Sequence, residues 1–139
     1  MTGDEARRRF VGSPVARLAT VDGRGRPHLV PLVFAAAGDT VYSAVDAKPK
    51  RGTALRRLAN VAANPRVALL VDHYEDDWTA LWWVRADGTG RVLDAASPEA
   101  AAALARLVER YHQYRERPPS GPVLAVDVSR WSGWSARGD

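Results

Sequence analysis

The sequence predicts a mainly β protein of the α+β class, in which an antiparallel barrel has helices packed at its edges. Short segments rich in valine, leucine and tryptophan are joined by hairpin-like connections. They do not alternate with helices in the way that the strands of a doubly wound parallel sheet do. The predicted order is a helix, three strands, a helix, two strands, a helix and a last strand, which gives six strands with flanking helices.

The first half of the chain contains one helix and three strands. A short helix begins near Asp4. Strands follow at residues 15–21 and 28–34, joined by a glycine-rich turn. Because Pro31 has no N–H group to donate to a sheet, the second strand is expected to have an edge, a bulge or a ligand at this position. The third strand, residues 40–46, alternates its side chains between two faces.

The second half of the chain repeats this mixture of helices and strands. Its elements are a helix at residues 53–64, strands at 66–74 and 79–94, a helix at 97–115 and a last strand at 122–128. Ser97 is the expected N-cap of the second of these helices. Gly88 or Gly90 is expected to form a bulge, so that residues 79–94 make one long strand.

Length and composition indicate a single domain spanning residues 1–139. Hydrophobic residues make up 46% of the chain and charged residues 26%, the balance of an ordinary globular protein. The longest apolar run, Val30 to Ala37, is much shorter than the roughly 20 residues of a membrane-spanning helix. The N-terminus has no apolar segment of the kind found in secretory signals, so a cytoplasmic protein with no membrane partner is expected.

Residue usage also excludes several kinds of site. The chain has no cysteine, which removes disulfides, thiolate catalysis and cysteine-based metal sites. The histidines show no metal-ligand spacing except that of His112 with Glu109, which is typical of a surface contact, and no metal is expected. The net charge of +4 comes from twenty basic and sixteen acidic residues that are interspersed. This pattern argues against a nucleic acid partner. A small anionic ligand would explain a local basic cluster just as well.

The two lysines of the chain both lie in the sequence DAKPKRG, residues 46–52, which we call the lysine stretch. A residue that precedes proline is extended, so Lys48 and Lys50 are expected to project to one side, about 6 to 7 Å apart. The helix that begins just after them adds N–H groups and the positive end of its dipole. The stretch therefore predicts a site for a phosphate or carboxylate, with Lys48, Lys50, Arg51 and Thr53 as donors. A solvated loop is the alternative.

Some tryptophans are expected to pack within the protein, and others are candidates to contact a partner or a ligand. Trp82 and Trp83 are neighbours in a strand and point to opposite faces, so one is expected to pack in the barrel and the other to face a partner or a cofactor. Trp131 and Trp134 are expected to anchor the C-terminal tail rather than to close a pocket. His28 and His73 are candidates to supply a proton near a cofactor, because imidazole titrates near neutral pH. The acidic residues Asp72, Glu75, Asp76 and Asp77 are expected to form a solvated turn.

Four segments taken together resemble a known family. The segments are PVARLATVDGRGRPHLVPLVF, VDAKPK, ANPRVALLVDHYEDDW and LWWVRADGTGRV. They resemble the pyridoxamine 5'-phosphate oxidase-like (PPOX class) flavoproteins of the FMN-binding split β-barrel type. Within that family they look like the subgroup thought to use the deazaflavin coenzyme F420. The resemblance runs from about Phe10 to Trp134 and implies a homodimer of six-stranded split barrels, with two cofactor sites at the dimer interface.

The resemblance also implies which residues bind the cofactor, although it identifies no catalytic residue. Pro31 and Val33 would line the ring, Ser43 and Ala44 would approach it through their backbone, Lys48, Lys50 and Arg51 would hold the anionic tail, and Trp78 matches a tryptophan position near the cofactor. The loop between Lys50 and Leu55 is a few residues longer than in many relatives. The sequence departs from the family pattern here, so the resemblance does not fix the individual roles of Arg51 and Thr53.

The expected activity is hydride transfer between reduced F420 and a small electron-poor organic substrate. F420 carries a phosphodiester and a chain of glutamates, so its binding needs a basic channel as well as an apolar wall for the ring. Two alternatives use the same fold. The first is an FMN-binding protein that resembles pyridoxamine-phosphate oxidase. The second is a non-catalytic module that holds the cofactor or a tetrapyrrole.

Overall fold

A computed structural model describes residues 1–45 and 53–138. The helices are α1 (Gly3–Val11), α2 (Thr53–Ala63), α3 (Pro98–Arg110) and α4 (His112–Glu116), with a 3-10 turn at Trp78–Ala80. The strands are β1 (Ala16–Val21), β2 (Pro27–Leu32), β3 (Ala35–Ala37), β4 (Thr40–Ala44), β5 (Arg66–His73), β6 (Trp82–Leu93) and β7 (Val123–Ser135). They form one antiparallel sheet in the order β2-β1-β5-β6-β7-β4-β3. The predicted mainly β class with antiparallel strands and flanking helices is therefore confirmed.

The predicted number of strands is wrong, because in the described part of the chain the sheet has seven strands rather than six and does not close. The expected strand at residues 28–34 ends at Leu32, and Ala35–Ala37 form an additional strand at the opposite edge of the sheet. Val33 and Phe34 join the two edge strands and belong to neither hydrogen-bonded ladder. The structure is consistent with a split barrel. The two edge strands are connected by Val33 and Phe34 and are not joined to each other by a hydrogen-bonded ladder. Pro31 lies on an edge strand, where a missing N–H group is tolerated.

The C-terminal tail is also more regular than the sequence suggests. The last strand was expected to end at residue 128, but β7 continues to Ser135 and pairs with β6 along its whole length. Strand β6 confirms one long strand in this region, but the expectation that Gly88 or Gly90 forms the bulge is wrong, because the register shift beside Gly88 leaves the additional residue, Ser129, on β7. Trp131 anchors the extended strand, because its Nε1 donates a hydrogen bond to the Asp39 carboxylate at 2.9 Å.

The inner face of the sheet encloses the main core. Phe10 of α1 and Phe34 are fully buried, with ring centroids 4.8 Å apart. Val61 of α2 packs into the same cluster. Trp82 packs against this core, whereas Trp83 lies on the outer face, so the prediction that the two rings point to opposite faces is confirmed. None of the helices in the described part of the chain is long and apolar enough to cross a membrane.

Helix α3 covers one half of the outer face by packing against β3, β4 and β7. Its Leu107 meets Ala35 and Ala44, and its Ala100 and Ala103 meet Tyr42. Strand β4 is consequently buried on both faces. The other half of the outer face, formed by β1, β2, β5 and the first part of β6, is where the candidate site lies.

A half-buried ionic network fastens α3 to the sheet. Arg91 donates to both Glu99 oxygens at 2.7 Å and to Asp127 at 2.6 and 3.1 Å. Tyr42 donates to Glu99 at 2.7 Å, and Thr40 donates to Asp127 at 3.0 Å. The hydrogen bonds from Arg91 and then from Tyr42 lower the pKa of Glu99 from 4.5 to about 2. Those from Arg91 and Thr40 also lower the pKa of Asp127.

This network makes the stability of the fold depend on pH. Because the pKa of Glu99 is lower in the folded state than its ordinary 4.5, the carboxylate stabilises the fold above about pH 4.5, and this contribution fades as the pH falls toward 2. Glu99→Gln is therefore expected to be less stable than wild type near neutral pH, with a difference that shrinks in acid. Urea denaturation across this pH range measures it. Glu116→Gln, an exposed substitution in α4, is the control. A difference that stays constant with pH would contradict the prediction.

Candidate functional site

The uncovered half of the outer face contains an apolar hollow of about 430 Å³, which we call the outer hollow. It is lined by Arg17, Ala19, Leu29, Ala68, Leu69, Leu70, Asp72 and Arg85. Leu29 is 68% exposed and Leu70 is 38% exposed. Exposed leucines gathered in one concave patch are typical of a binding surface, whereas single scattered ones need no explanation.

Strand pairing explains how the outer hollow is assembled. Pro31 of β2 lies opposite Arg17 of β1, which lies opposite Leu70 of β5, which lies opposite Arg85 of β6. Side chains at paired positions share a face, so these four form one row across the outer surface. Pro31 is exposed and stands at the edge of the outer hollow, on the same face as Leu29. One predicted ring-lining residue therefore lies beside an apolar surface.

Guanidinium groups and carboxylates border the apolar floor. Arg17 lies 3.8 Å from the Asp72 carboxylate, and Arg85 lies 3.0 Å from Asp87. These pairs are exposed, so they contribute little to stability and remain available to a ligand or a partner. An apolar floor with planar cations at its border suits a flat ring that carries negative charge. Asp72 was expected in a solvated turn, but it lies on β5 and lines the outer hollow.

A second hollow of about 350 Å³ adjoins the first and shares Leu70, Asp72 and Arg85 with it. Tyr74 and Trp83 complete its lining. Tyr74 is 69% exposed, which is unusual for a large aromatic side chain that has no role in binding. The two hollows together form a continuous concave surface that is suited to a ring system or to the surface of a partner.

The other residues predicted to contact the ring lie at the junction between the sheet edges and in β4. Ser43 is buried, and its Oγ donates a hydrogen bond to the Val33 carbonyl at 3.0 Å. The structure thus brings Val33 and Ser43 together, but the serine hydroxyl is already used within the fold. The Ala44 side chain packs against Leu107 of α3. Backbone approach to a ligand remains the predicted role for residues 43 and 44.

Trp78 lies apart from the outer hollow. It begins the 3-10 turn, which Asp77 caps by accepting a hydrogen bond from the Thr79 N–H at 3.0 Å. The Trp78 side chain is 74% exposed and is not among the residues that line either hollow on the outer face. The structure therefore does not place Trp78 at the outer hollow beside Pro31.

The predicted anion donors fall mostly outside what the structure describes. Lys48, Lys50 and Arg51 lie outside the described residues, and Thr53 begins α2 with its side chain outside the described part. Arg57 on the next turn of α2 is described. Burial lowers its pKa, and its buried Nε finds no hydrogen-bond partner among the described residues. Arg57 as a whole is half-buried and also interacts electrostatically with Tyr114, so it provides a cation on the helix that follows the lysine stretch in sequence.

The histidines do not join the outer hollow. His28 lies opposite Thr20 and faces inward, away from the side of β2 that carries Pro31. Its buried Nδ1 has no hydrogen-bond partner in the described part of the chain. His73 contacts Glu75 and stacks on Trp82, with ring centroids 6.4 Å apart. Within residues 1–45 and 53–138, no group of three acidic or histidine side chains is arranged to hold a metal ion.

Comparison with known proteins identifies the family. The sequence profile described as pyridoxamine 5'-phosphate oxidase matches residues 2–135. The chain belongs to the pyridoxamine 5'-phosphate oxidase family. The matched residues include every helix and strand that the structure describes, so the match does not rest on one motif. No curated protein matches the chain significantly in sequence.

Solved structures of other proteins share the fold of this member of the pyridoxamine 5'-phosphate oxidase family, although their sequence identity to it is low. A conserved hypothetical protein from Mycobacterium tuberculosis is 21% identical with a TM-score of 0.77, covering 99% of this chain and 86% of its own. A FAD-binding protein from Mesorhizobium loti is 20% identical with a TM-score of 0.72, covering 96% and 94%. HutZ, a heme storage protein from Vibrio cholerae, is 16% identical with a TM-score of 0.73, covering 97% and 95%. At these identities the likeness concerns the fold alone.

Sequence reasoning missed the residues that build the outer hollow. Leu29 and Leu70 occupy the outward positions of their strands, where a polar residue would be expected in a sheet that faces water. That departure from alternation was the available signal. This signal does not define a site without the pairing of β1 with β2 and β5, which sets Arg17 between Pro31 and Leu70 and Ala19 between Leu29 and Ala68.

Proposed function

We propose that the protein is a cytoplasmic oxidoreductase that binds coenzyme F420 and transfers hydride between the reduced coenzyme and a small electron-poor organic substrate. The observation that carries the proposal is the outer hollow. Its apolar floor, bordered by Arg17 and Arg85, lies beside Pro31 on the surface that the family resemblance assigns to the cofactor ring.

The choice of F420 over FMN rests on cationic groups. F420 carries a phosphodiester and a glutamate tail, so it needs more positive charge than the single phosphate of FMN. The lysine stretch supplies Lys48 and Lys50, and α2 adds Arg56 and Arg57 directly after it. Arg56 is exposed, and Arg57 has a buried Nε without a partner among the described residues. These groups would hold the anionic tail while Pro31 and Val33 line the ring.

The division of labour follows from this arrangement. The reduced deazaflavin supplies the hydride when it is bound. The protein's residues bind and orient the ring, hold the tail and keep water from the apolar surface. None of the histidines lies on the surface of the outer hollow, so a proton donor from this chain is not part of the proposal.

A second copy of the chain is part of the proposed site. The outer face exposes Leu29 and Leu70 beside both arginines and carboxylates, including Arg17 and Asp72. A surface that carries both charges around an apolar centre is complementary to itself under two-fold symmetry. We propose a homodimer that joins these faces and holds the ring at the interface, where Trp78 of the other protomer would supply the contact that one protomer lacks.

Two other functions are each favoured by a specific similarity. An FMN-dependent activity is supported by the FAD-binding protein from Mesorhizobium loti, which shares the fold. A non-catalytic role in holding a tetrapyrrole is supported by the heme storage protein from Vibrio cholerae. Turnover of reduced F420 with quinones, enones or tetrapyrroles as acceptors separates an enzyme from a binding module.

Titration of the purified protein with F420, FMN and heme side by side tests the proposal. Protein made in a host that lacks F420 is expected to be colourless and to bind added F420 more tightly than the other two ligands. Retention of stoichiometric FMN through purification would support the second function instead. Preferential binding of heme without turnover would support the third.

The lysine stretch provides a sharper test of the anion site. Lys48→Ala combined with Lys50→Ala is expected to weaken F420 binding by about tenfold or more and to flatten its dependence on salt, because two cations are lost from the tail site. Fluorescence titration at several salt concentrations measures both effects. The control is Arg24→Ala with Arg26→Ala, which removes two exposed cations with the same spacing from the β1–β2 turn. Equal affinity in the two double variants would exclude the lysines from the site.

A further inference from the structure

The junction formed by Val33 and Phe34 has a hydrogen-bonding pattern unlike the rest of the sheet. β2 pairs with β1 up to Leu32, and β3 pairs with β4 from Ala35, so the junction lies between the two ladders. Buried backbone groups outside a ladder need other partners. Phe34 is fully buried, and its N–H and carbonyl therefore depend on side chains brought from elsewhere in the chain.

The C-terminal end of α3 supplies these partners from two consecutive residues. The Phe34 N–H donates to the Tyr111 hydroxyl at 3.2 Å, and that hydroxyl lies 2.8 Å from the Phe34 carbonyl. Arg110 Nη1 donates to the same carbonyl at 2.7 Å, and its guanidinium lies 4.8 Å from the centre of the Phe34 ring. Both polar groups of Phe34 are thus satisfied by side chains located 76 and 77 residues away in sequence.

The same two side chains hold a second segment of the chain. The Tyr111 hydroxyl lies 2.9 Å from the Pro14 carbonyl, and Arg110 Nη2 donates to the Ser13 carbonyl. Ser13 and Pro14 lead from α1 into β1, the strand that pairs with β2. Arg110 and Tyr111 therefore fix the entrance to β1 and the exit from β2 together, and we call this pair the junction clamp.

The junction clamp acts on the candidate ring wall. Pro31 and Val33, the residues proposed to line the ring, lie within three positions of Phe34 on the same edge segment. From the other side, Ser43 donates to the Val33 carbonyl at 3.0 Å, so both junction carbonyls are held by side chains. Because β2 is an edge strand, these contacts replace the second ladder that would fix an interior strand.

We propose that Arg110 and Tyr111 are positioning residues, which set the location of the Pro31–Val33 segment and thereby the affinity and environment of the cofactor ring. Neither side chain lines the outer hollow, so the effect passes through the backbone of the junction. This inference rests on the proposed binding of a flavin-type ring at Pro31 and Val33.

Tyr111→Phe tests the inference, with Tyr42→Phe as a matched control. Each substitution removes one phenol hydroxyl that ties α3 to the sheet. The Tyr42 hydroxyl bonds Glu99 near the start of the helix, whereas the Tyr111 hydroxyl bonds the junction near its end. Tyr111→Phe is expected to weaken binding of F420 or FMN, whichever the wild type binds, by about tenfold. Tyr42→Phe is expected to change the affinity by less than about twofold.

Two further readouts separate positioning from general stability. At saturating ligand, the absorption spectrum of the bound ring is expected to shift in Tyr111→Phe and to stay unchanged in Tyr42→Phe. Hydrogen exchange at the Phe34 amide is expected to accelerate only in Tyr111→Phe, because that amide loses its acceptor. If Tyr111→Phe does not fold, Arg110→Lys provides the comparison of affinity and ring spectrum, since it keeps the charge and loses the forked contact with Phe34 and Ser13.

The outcomes distinguish this inference from the function on which it rests. Equal affinities and identical ring spectra in Tyr111→Phe and Tyr42→Phe would overturn the positioning role while ligand binding by the wild type stands. Failure of the wild type to bind F420 or FMN would overturn the proposed function, and the positioning role with it. Weakened binding confined to the Tyr111 variant, with a shifted spectrum, supports the inference.

Discussion

Gly88→Ala is expected to lower the free energy of unfolding by about 3 kcal/mol, the upper end of the range for overpacked positions. A Cβ atom at Gly88 would lie 2.3 Å from the Asp127 carbonyl oxygen and 3.0 Å from the Val128 Cα. Both neighbours are backbone atoms of β7, so no side chain can rotate to make room. The two strands would have to separate where the register shifts between Asp87 and Gly88.

Two other glycines give a graded comparison. At Gly90 the nearest atom to an added Cβ is a side-chain methyl of Val61 at 2.9 Å, which can move, so Gly90→Ala is expected to cost less. At Gly23 an added Cβ meets no described atom within 4 Å, and Gly23→Ala is expected to be close to neutral. Urea denaturation of the three variants measures the order. Equal stability of the Gly88 and Gly23 variants would show that the close approach of β7 does not constrain position 88.

The long strand that includes Gly88 and Gly90 could be predicted because its signals are local. Residues 66–74 and 79–94 are dense in Val, Leu and Trp, and the glycines at 88 and 90 interrupt them without ending the apolar pattern. The structure confirms one long strand in this region. The sequence did not show that the additional residue belongs to β7, because this depends on which residue of the partner strand faces each glycine.

The break between β2 and β3 could not be predicted from the residues around it. The sequence from Val30 to Ala37 is a nearly continuous apolar run that favours one strand. At the break, the N–H and carbonyl of Phe34 bond to the junction clamp, whose two residues follow Phe34 by more than seventy positions. The ordered tail has the same kind of cause. Residues 129–135 are strand because β6 is long enough to pair with them.

In the candidate site, too, some residues were indicated by the sequence and others become apparent only from the pairing of the strands. Pro31 and Val33 came from a family resemblance, and the structure sets Pro31 at the edge of an apolar hollow. Leu29, Leu70 and Arg17 were not identified, because an exposed leucine acquires meaning only when a neighbouring strand brings a second one beside it. The predicted tail contacts Lys48 and Lys50 stay predictions, since both lie outside the described residues.

Leu29→Asp is expected to convert the proposed dimer into a monomer and to weaken binding of the cofactor ring together with it. Leu29 is 68% exposed in one protomer and lies in the apolar centre of the outer face. A carboxylate there remains solvated in the monomer but loses its water when two such faces meet. A buried and unpaired charge costs several kcal/mol, which corresponds to a fall of about a hundredfold or more in the association constant.

Val92→Asp is the matched control for this substitution. Val92 is also an exposed aliphatic residue of the sheet, 43% accessible, but it lies near the end of β6 and lines neither hollow on the outer face. Light scattering with size-exclusion chromatography measures the mass of each variant, and fluorescence titration measures ligand affinity. A monomeric Leu29 variant that binds F420 or FMN like wild type would separate the cofactor site from the interface. A dimeric Leu29 variant would place the interface elsewhere. If Leu29→Asp loses both dimerisation and ligand binding while Val92→Asp keeps them, the result supports a ring site on a surface formed by two copies of the chain.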